Sequence, residues 1–279
     1  MKITMLTNIG FCEGVNRSLS VVEENYRSDQ PTYLLGMIVH NEIVNNELIK
    51  HGIKIIDEKD VLKQPIGTII TTAHGTKKET INSLIKAGFR IIDTTCPIVT
   101  QNNKLIERYN NDGFDIVYLG IKNHPESKAN EEIVHIVQTR EDIDQLKINN
   151  NRIVVIAQTT LTEENIESLS SYLLKKYPYA LMHTSICPFV LNRQKEVEEC
   201  VKVHHDSTDY YFVLGSNLSN NTRKLKEVIQ RYTENVRIVS ELDDLSSFIF
   251  KERYHIYLTS GTSTPISFIR EIKSYLDQK

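Results

Sequence analysis

The sequence predicts an α/β protein built on parallel sheets. Short β-branched apolar runs recur along its 279 residues, and each ends in small or polar residues that lead into a helix start. The chemically distinctive side chains (Cys, His, Glu, Thr, Ser, Asn) gather at those run ends, where open α/β sheets collect ligands. A chain of this length exceeds what one compact core usually supports, so two or three subdomains are expected.

The first run, 2–8, leads into Gly10-Phe11-Cys12-Glu13-Gly14. Run 67–73 leads into His74-Gly75-Thr76, and run 90–93 into Thr94-Thr95-Cys96-Pro97. Run 115–120 precedes Asn123-His124-Pro125-Glu126, and run 152–157 precedes Gln158-Thr159-Thr160. The last two are 210–214, before Gly215-Ser216-Asn217, and 255–259, before Ser260-Gly261-Thr262-Ser263. Between them, Thr76, Thr162 and Thr264 stand at N-cap positions, and Thr76-Lys77-Lys78-Glu79 has the capping-box form. Pro265 suits the first helical position after Thr264. Ile166, Leu169, Leu173 and Leu174 have helical spacing, as do Leu225, Val228, Ile229 and Tyr232.

Apolar residues make up 40% and charged residues 25%, enough for an ordinary buried core. A net charge of −3 offers no basic stripe, so no nucleic-acid partner is expected. Residues 1–6 read as a first strand and not as a signal peptide, because the apolar run is short and lacks a cleavage site. No stretch approaches the roughly 18 apolar residues that cross a bilayer, so no membrane partner is expected and a cytoplasmic location is.

Four cysteines without a secretory context do not suggest a disulfide framework. Cys12, Cys96 and Cys187 all sit at strand-to-helix turns: Cys12 between Gly10 and Gly14, the other two followed by Pro97 and Pro188. Amides exposed at such turns stabilise a thiolate. Any one of them alone would be read as a buried thiol, but three in the same context, one in each third of the chain, point to a shared role. Structural zinc prefers paired ligands at short spacing, and no Cys-x-x-Cys occurs. Three distant thiolates instead suit a [4Fe–4S] cluster whose fourth iron lacks a protein ligand and is open to substrate. Cys200 lies in the charged helical stretch 194–203, with Val197, Val201 and Val203, and reads as a small core residue.

His40, His74 and His124 fall at or near run ends, together with Ser219, Asn220, Asn221 and Ser263. Such a ring of amides, hydroxyls and imidazolium suits a diphosphate. No Walker or GxGxxG motif is present, which disfavours a nucleotide cradle. Glu126 lies two residues after His124 in the same turn, and a carboxylate near His124 and the Thr159 hydroxyl could relay a proton; taken alone it would be a solvated turn residue. His51 suits a helix end before Gly52, and His135, His204, His205 and His255 have no site context.

Gly10-Phe11-Cys12-Glu13-Gly14-Val15, Val39-His40-Asn41, Ala73-His74-Gly75, Asp93-Thr94-Thr95-Cys96-Pro97, His124-Pro125-Glu126 and Gln158-Thr159-Thr160-Leu161 resemble the IspH/LytB family of 4-hydroxy-3-methylbut-2-enyl diphosphate reductases. The resemblance runs along the whole chain and is most specific over its first two thirds. It implies three similar α/β lobes, 13–96, 97–184 and 1–12 plus 185–279, around a central [4Fe–4S] cluster. It also implies the last step of the methylerythritol phosphate route to isoprenoids, with reduced ferredoxin or flavodoxin as electron donor. By the same resemblance Cys12, Cys96 and Cys187 hold the cluster, and Glu126 donates the proton with Thr159 beside it. His40, His74, Ser219, Asn221 and Ser263 grip the diphosphate, Asn220 stands within that grip, and His124 assists near the substrate hydroxyl.

The last third departs from the family pattern. Pro188-Phe189-Val190-Leu191 replaces small residues and a threonine after Cys187, although Asn192-Arg193-Gln194 still matches. Asn220 stands where serine is usual, and Ser260 and Thr262 stand where alanines are common. Two other readings follow: a divergent paralogue reducing a related allylic alcohol or diphosphate, and a non-redox hydro-lyase using an open iron as a Lewis acid. Turnover without a reductant would mark the hydro-lyase, and rejection of the family's substrate would mark the paralogue.

Overall fold

Each of the seven apolar runs forms a strand, in a computed structural model that describes residues 1–26, 30–148 and 150–279. In chain order the elements begin with β1 (Lys2–Met5), α1 (Glu13–Asn25), β2 (Thr32–Leu35), α2 (Glu42–Lys50), β3 (Lys54–Ile56), β4 (Thr68–Ile70), α3 (Lys78–Lys86) and β5 (Arg90–Ile92). They continue with α4 (Pro97–Asn111), β6 (Asp115–Leu119), α5 (Pro125–Lys128), β7 (His135–Val137), α6 (Arg140–Gln145), β8 (Ile153–Ala157), α7 (Glu163–Lys176) and β9 (Leu181–His183). The last are α8 (Pro188–Val203), β10 (Asp209–Leu214), α9 (Asn220–Gln230), β11 (Val236–Val239), β12 (His255–Ser260) and α10 (Ile266–Leu276). No described helix is long and apolar enough to cross a membrane.

The strands make three four-stranded sheets, ordered β1-β12-β10-β11, β3-β2-β4-β5 and β7-β6-β8-β9, and every pairing is parallel. One plan is used three times. Two central strands (β2 and β4, β6 and β8, β10 and β12) are flanked by one outer strand that precedes a cysteine and one that does not. The cysteine-bearing outer strands are β5, β9 and β1. The third sheet thus takes the first strand of the chain as its last member.

Packing divides the chain into two compact units: Met1–Asn16 with Val39–Glu47 and Pro188–Lys279, and Arg17–Ile38 with Leu48–Cys187. In the first, Phe212, Leu214, Ile256 and Leu258 face one core, while Tyr211, Val213 and Tyr257 face another on the opposite side of the sheet. In the second, Val117, Leu119, Val155 and Ala157 point one way, and Ile116, Tyr118, Val154 and Ile156 the other. Strands buried on both faces need the unbroken apolar runs seen in the sequence. Each such aliphatic side chain contributes about 1.5–3 kcal/mol on burial.

Two expected helix starts are shifted. α3 begins at Lys78 with Lys77 in the cap position, because the turn through Gly75 (φ +89°) and an extended Lys77 delays entry beyond Thr76. α10 begins at Ile266, with Pro265 itself extended as the cap; the Thr264 hydroxyl donates to the Leu214 carbonyl at 2.9 Å instead. Thr162 does cap α7, accepting from the Asn165 amide at 3.1 Å. Cys200 packs against the Val197, Val201 and Tyr211 core with its thiol 3.7 Å from the Tyr211 hydroxyl, whereas Val203 is exposed at the helix end.

Candidate active site

The threefold plan sorts the candidate residues by role. Every expected substrate or proton-transfer residue follows a central strand. His40 comes after β2, His74 after β4, His124 and Glu126 after β6, and Thr159 after β8; Ser219, Asn220 and Asn221 follow β10, and Ser263 follows β12. The cysteines follow the outer strands. Each cysteine amide donates to a carbonyl in the loop after the neighbouring central strand: Cys12 to Thr262 at 3.1 Å, Cys96 to Ala73 at 3.0 Å and Cys187 to Thr159 at 3.0 Å. The helix that follows starts one residue later in all three cases, at Glu13, Pro97 and Pro188. None of the four cysteines is in a disulfide.

Within the second unit, Glu126 is the most constrained ionisable group. It sits on the first turn of α5, with 2% of its surface exposed. His124 caps that turn, its Nδ1 accepting from the Glu126 amide at 3.2 Å, so a neutral ring carries its proton on Nε2. Asn123 takes the left-handed conformation (φ +67°) that turns the chain toward this cap. The Glu126 carboxylate accepts from the Thr159 amide at 3.0 Å, the Thr159 hydroxyl at 2.9 Å and the Tyr118 hydroxyl at 2.9 Å. Burial pushes its pKa up, and the three hydrogen bonds only partly offset that. Tyr118 is also raised well above the phenol range, by burial and by the adjacent carboxylate, and so stays a donor. His74 and His124 meet edge to face, ring centres 5.5 Å apart.

Cys96 is approached through a pinned loop. Asp93 accepts from the Thr71 hydroxyl (2.9 Å), the Thr95 amide (2.9 Å) and the Thr95 hydroxyl (2.6 Å). Burial works against its ionisation, but the bonds from Thr95 and Thr71 outweigh it and hold the carboxyl below its usual range. The loops after β6 and β8 are joined by buried Gln158, which accepts from the Ile121 amide at 2.8 Å and donates to the Thr160 hydroxyl at 2.9 Å.

Within the first unit, the groups expected to grip an anion are buried. The Ser219 hydroxyl caps α9, accepting from the Thr222 amide at 3.3 Å, and so keeps its own proton available. Both amide atoms of Asn221 and the hydroxyls of Ser263 and Thr222 are buried with no hydrogen-bond partner among the described residues. Leaving such groups dry costs about 1–3 kcal/mol each, so their presence in the first turn of α9 and in the loop after β12 fits a ligand that supplies the missing partners. His40 precedes α2, whose start is capped by Asn41 accepting from the Ile43 amide at 3.0 Å. Burial and then the nearby Arg223 charge lower the His40 pKa against an opposing effect of Glu42. The imidazolium expected from sequence is therefore disfavoured before an anion arrives, and His40 presents a neutral ring.

A cleft of about 650 Å³ in the second unit, lined by Lys77, Lys78, Asn82, Thr95, Asn103 and Glu107 among others, contains neither Glu126 nor a cysteine. Two of its lysines are engaged, Lys77 with Glu131 at 2.9 Å and Lys78 with Glu107 at 2.8 Å. Of the departures from the family pattern, Val190 is core and Phe189 is partly exposed.

The LytB protein family matches residues 3–277. The chain belongs to that family. It is 34% identical over 292 aligned residues to the 4-hydroxy-3-methylbut-2-enyl diphosphate reductase of Geobacillus kaustophilus, spanning all of this chain and 90% of that protein. It is 33% identical to the enzyme of the same name from Bacillus subtilis, over all of this chain and 91% of that one. Among solved structures, the E-1-hydroxy-2-methyl-but-2-enyl-4-diphosphate reductase of Plasmodium falciparum superposes with a TM-score of 0.89 at 30% identity, covering 99% of this chain and 87% of the other. A structure described as the terminal enzyme of the non-mevalonate pathway superposes at 0.69 with 26% identity over the full length of both chains. For a LytB protein, sequence reasoning overlooked Tyr118 and Gln158. Tyr118 lies inside an apolar strand and looks like core, and Gln158 meets its Ile121 partner, 37 residues away in sequence, only in the fold.

Proposed function

We propose that this LytB protein removes the allylic hydroxyl of 4-hydroxy-3-methylbut-2-enyl diphosphate, taking up two electrons and two protons, releasing water and giving isopentenyl and dimethylallyl diphosphates. The observation that carries the reading is the buried Glu126 carboxyl, held by Thr159 and Tyr118 with its pKa raised. A carboxyl that keeps its proton above the usual range is suited to protonate a poor leaving group.

In this reading Cys12, Cys96 and Cys187 hold a [4Fe–4S] cluster, and the lobes span 13–96, 97–184 and 1–12 with 185–279. The donor set fits: three thiols outside any disulfide, in equivalent places of a repeated plan, each with its backbone amide fixed by one carbonyl. When bound, such a cluster supplies electrons singly and an iron without a protein ligand for a substrate oxygen. The chain's own groups do the rest. His40, His74, Ser219, Asn220, Asn221 and Ser263 bind the diphosphate. That binding free energy orients the allylic alcohol, although the diphosphate does not react. His124 orders the α5 turn that presents Glu126, and Glu126 gives a proton to the departing oxygen. Thr159 and Tyr118 then stabilise the carboxylate left behind. The electron donor is reduced ferredoxin or flavodoxin, and the reaction takes place in the cytoplasm.

The test is oxygen-free turnover of the diphosphate with a strong one-electron reductant, comparing the native protein with Glu126→Gln. Native turnover that is lost in the variant at equal iron content supports the reading. Turnover without reductant, or rejection of this substrate by iron-loaded protein, overturns it.

A further inference from the structure

The loop that delivers Cys12 is held from one side by a single helix. Arg193 and Glu196, one turn apart on α8, both reach it. Glu196 accepts four hydrogen bonds: from the Thr7 amide and hydroxyl, each at 2.5 Å, and from the Asn8 amide and side-chain amide, at 2.9 and 2.8 Å. Arg193 is 5% exposed and donates to the Gly10 carbonyl, to the Ser260 carbonyl at 2.9 Å and to the Ser260 hydroxyl at 3.3 Å. Ser260 in turn accepts from the Gly10 amide at 2.8 Å. Gly10 sits at φ +86°, a conformation that favours glycine and needs outside support to stay fixed.

Thr7 and Asn8 are thus fixed by backbone amide and side chain, and Gly10 by both amide and carbonyl, two residues before Cys12, whose own amide donates to the Thr262 carbonyl. The helix that does this begins at Pro188, immediately after Cys187. A buried guanidinium and a fully engaged carboxylate are far more than a surface loop needs to stay folded. Groups that orient metal ligands are built this way.

We propose that Arg193 and Glu196, with Ser260 between Arg193 and Gly10, are positioning residues that hold Cys12 ready to ligate the cluster. The inference rests on the cluster assignment under Proposed function and adds what fixes one of its three ligands.

The experiment uses full-length protein loaded with iron and sulfide without oxygen. Glu196→Gln, Arg193→Lys and Ser260→Ala are compared with the native protein and with Glu198→Gln, which lies on the same helix but bonds Tyr232 and Lys202. Iron release to a chelator, the paramagnetic-resonance spectrum of the reduced protein and the melting temperature of the iron-free protein are measured. Glu196→Gln turns an amide toward the Asn8 donors, so iron should leave about 10-fold faster with an altered spectrum while iron-free melting and Glu198→Gln stay native. Arg193→Lys keeps the charge but loses the forked donors, and should behave likewise. Native release rates and spectra in Glu196→Gln and Ser260→Ala overturn the proposal even if Arg193→Lys fails to fold. Iron-free native protein overturns the cluster assignment itself.

Discussion

Thr159 donates to Glu126 twice, from its amide to one carboxylate oxygen at 3.0 Å and from its hydroxyl to the other at 2.9 Å. The same residue's carbonyl accepts the amide of Cys187 at 3.0 Å. One residue therefore orients the proposed acid and the backbone of a proposed cluster ligand, so both have their geometry set by the end of β8. The proposed acid and the backbone of the proposed ligand are thus joined through Thr159, by its amide and hydroxyl on one side and its carbonyl on the other.

Glu126→Gln should lower turnover by about 10²- to 10⁴-fold with iron content and far-ultraviolet dichroism unchanged. Tyr118→Phe removes a hydrogen bond that lowers the Glu126 pKa, so that pKa rises. An acid must be protonated to act, so the alkaline limb of the kcat/KM profile should move to higher pH. An acid limb that moves to higher pH instead would show that Glu126 acts in its ionised form.

Glu126 also makes a stability prediction with a definite sign. Its folded pKa lies above the unfolded value of 4.5, so its contribution is complete below 4.5 and is lost as pH rises through the folded value. Melting temperature of the iron-free protein should fall over that window, and Glu126→Gln should flatten the decline.

Asn221 and Ser263 should show a trade between stability and binding. Ser263→Ala removes a buried hydroxyl that has no partner among the described residues, so iron-free melting should stay level or rise. Loss of a hydrogen bond to the diphosphate should weaken its binding by about 5- to 150-fold, for about 1–3 kcal/mol. Asn221→Ala should weaken it similarly. Calorimetry with inorganic pyrophosphate checks both, and unchanged affinity would remove these residues from the grip.

His40 should titrate low in the free protein and higher with an anion bound. Burial and Arg223 hold it down, and a diphosphate beside it favours the charged ring. Nuclear magnetic resonance titration of the ring protons should show an upward shift with pyrophosphate, and an unmoved titration would take His40 out of the grip.

The sequence made the chemistry-bearing strand ends legible because parallel strands buried on both faces leave unbroken apolar runs, and each run stops at a motif. β2, β3, β7, β9 and β11 escaped. They are only three or four residues long; β3, β7 and β11 lead into no motif rich in Cys, His or Glu, and β9 is separated from Cys187 by three loop residues. The Cys and Glu126 positions were readable from their turns. Tyr118 and Arg193 were not, because a hydroxyl inside a strand and a guanidinium on a charged helix reveal their partners only when distant segments pack. The shifted starts of α3 and α10 have a common cause: backbone entry angles set by Gly75 and Pro265 outranked the capping threonines.

The most direct test is iron and sulfide per chain in oxygen-free preparations of the native protein and of Cys12→Ser, Cys96→Ser, Cys187→Ser and Cys200→Ser. The account predicts about four irons and four sulfides per native chain, retained in Cys200→Ser and lost in each of the other three. A native protein without iron, or a Cys200→Ser variant that loses iron as fully as Cys187→Ser, would contradict it.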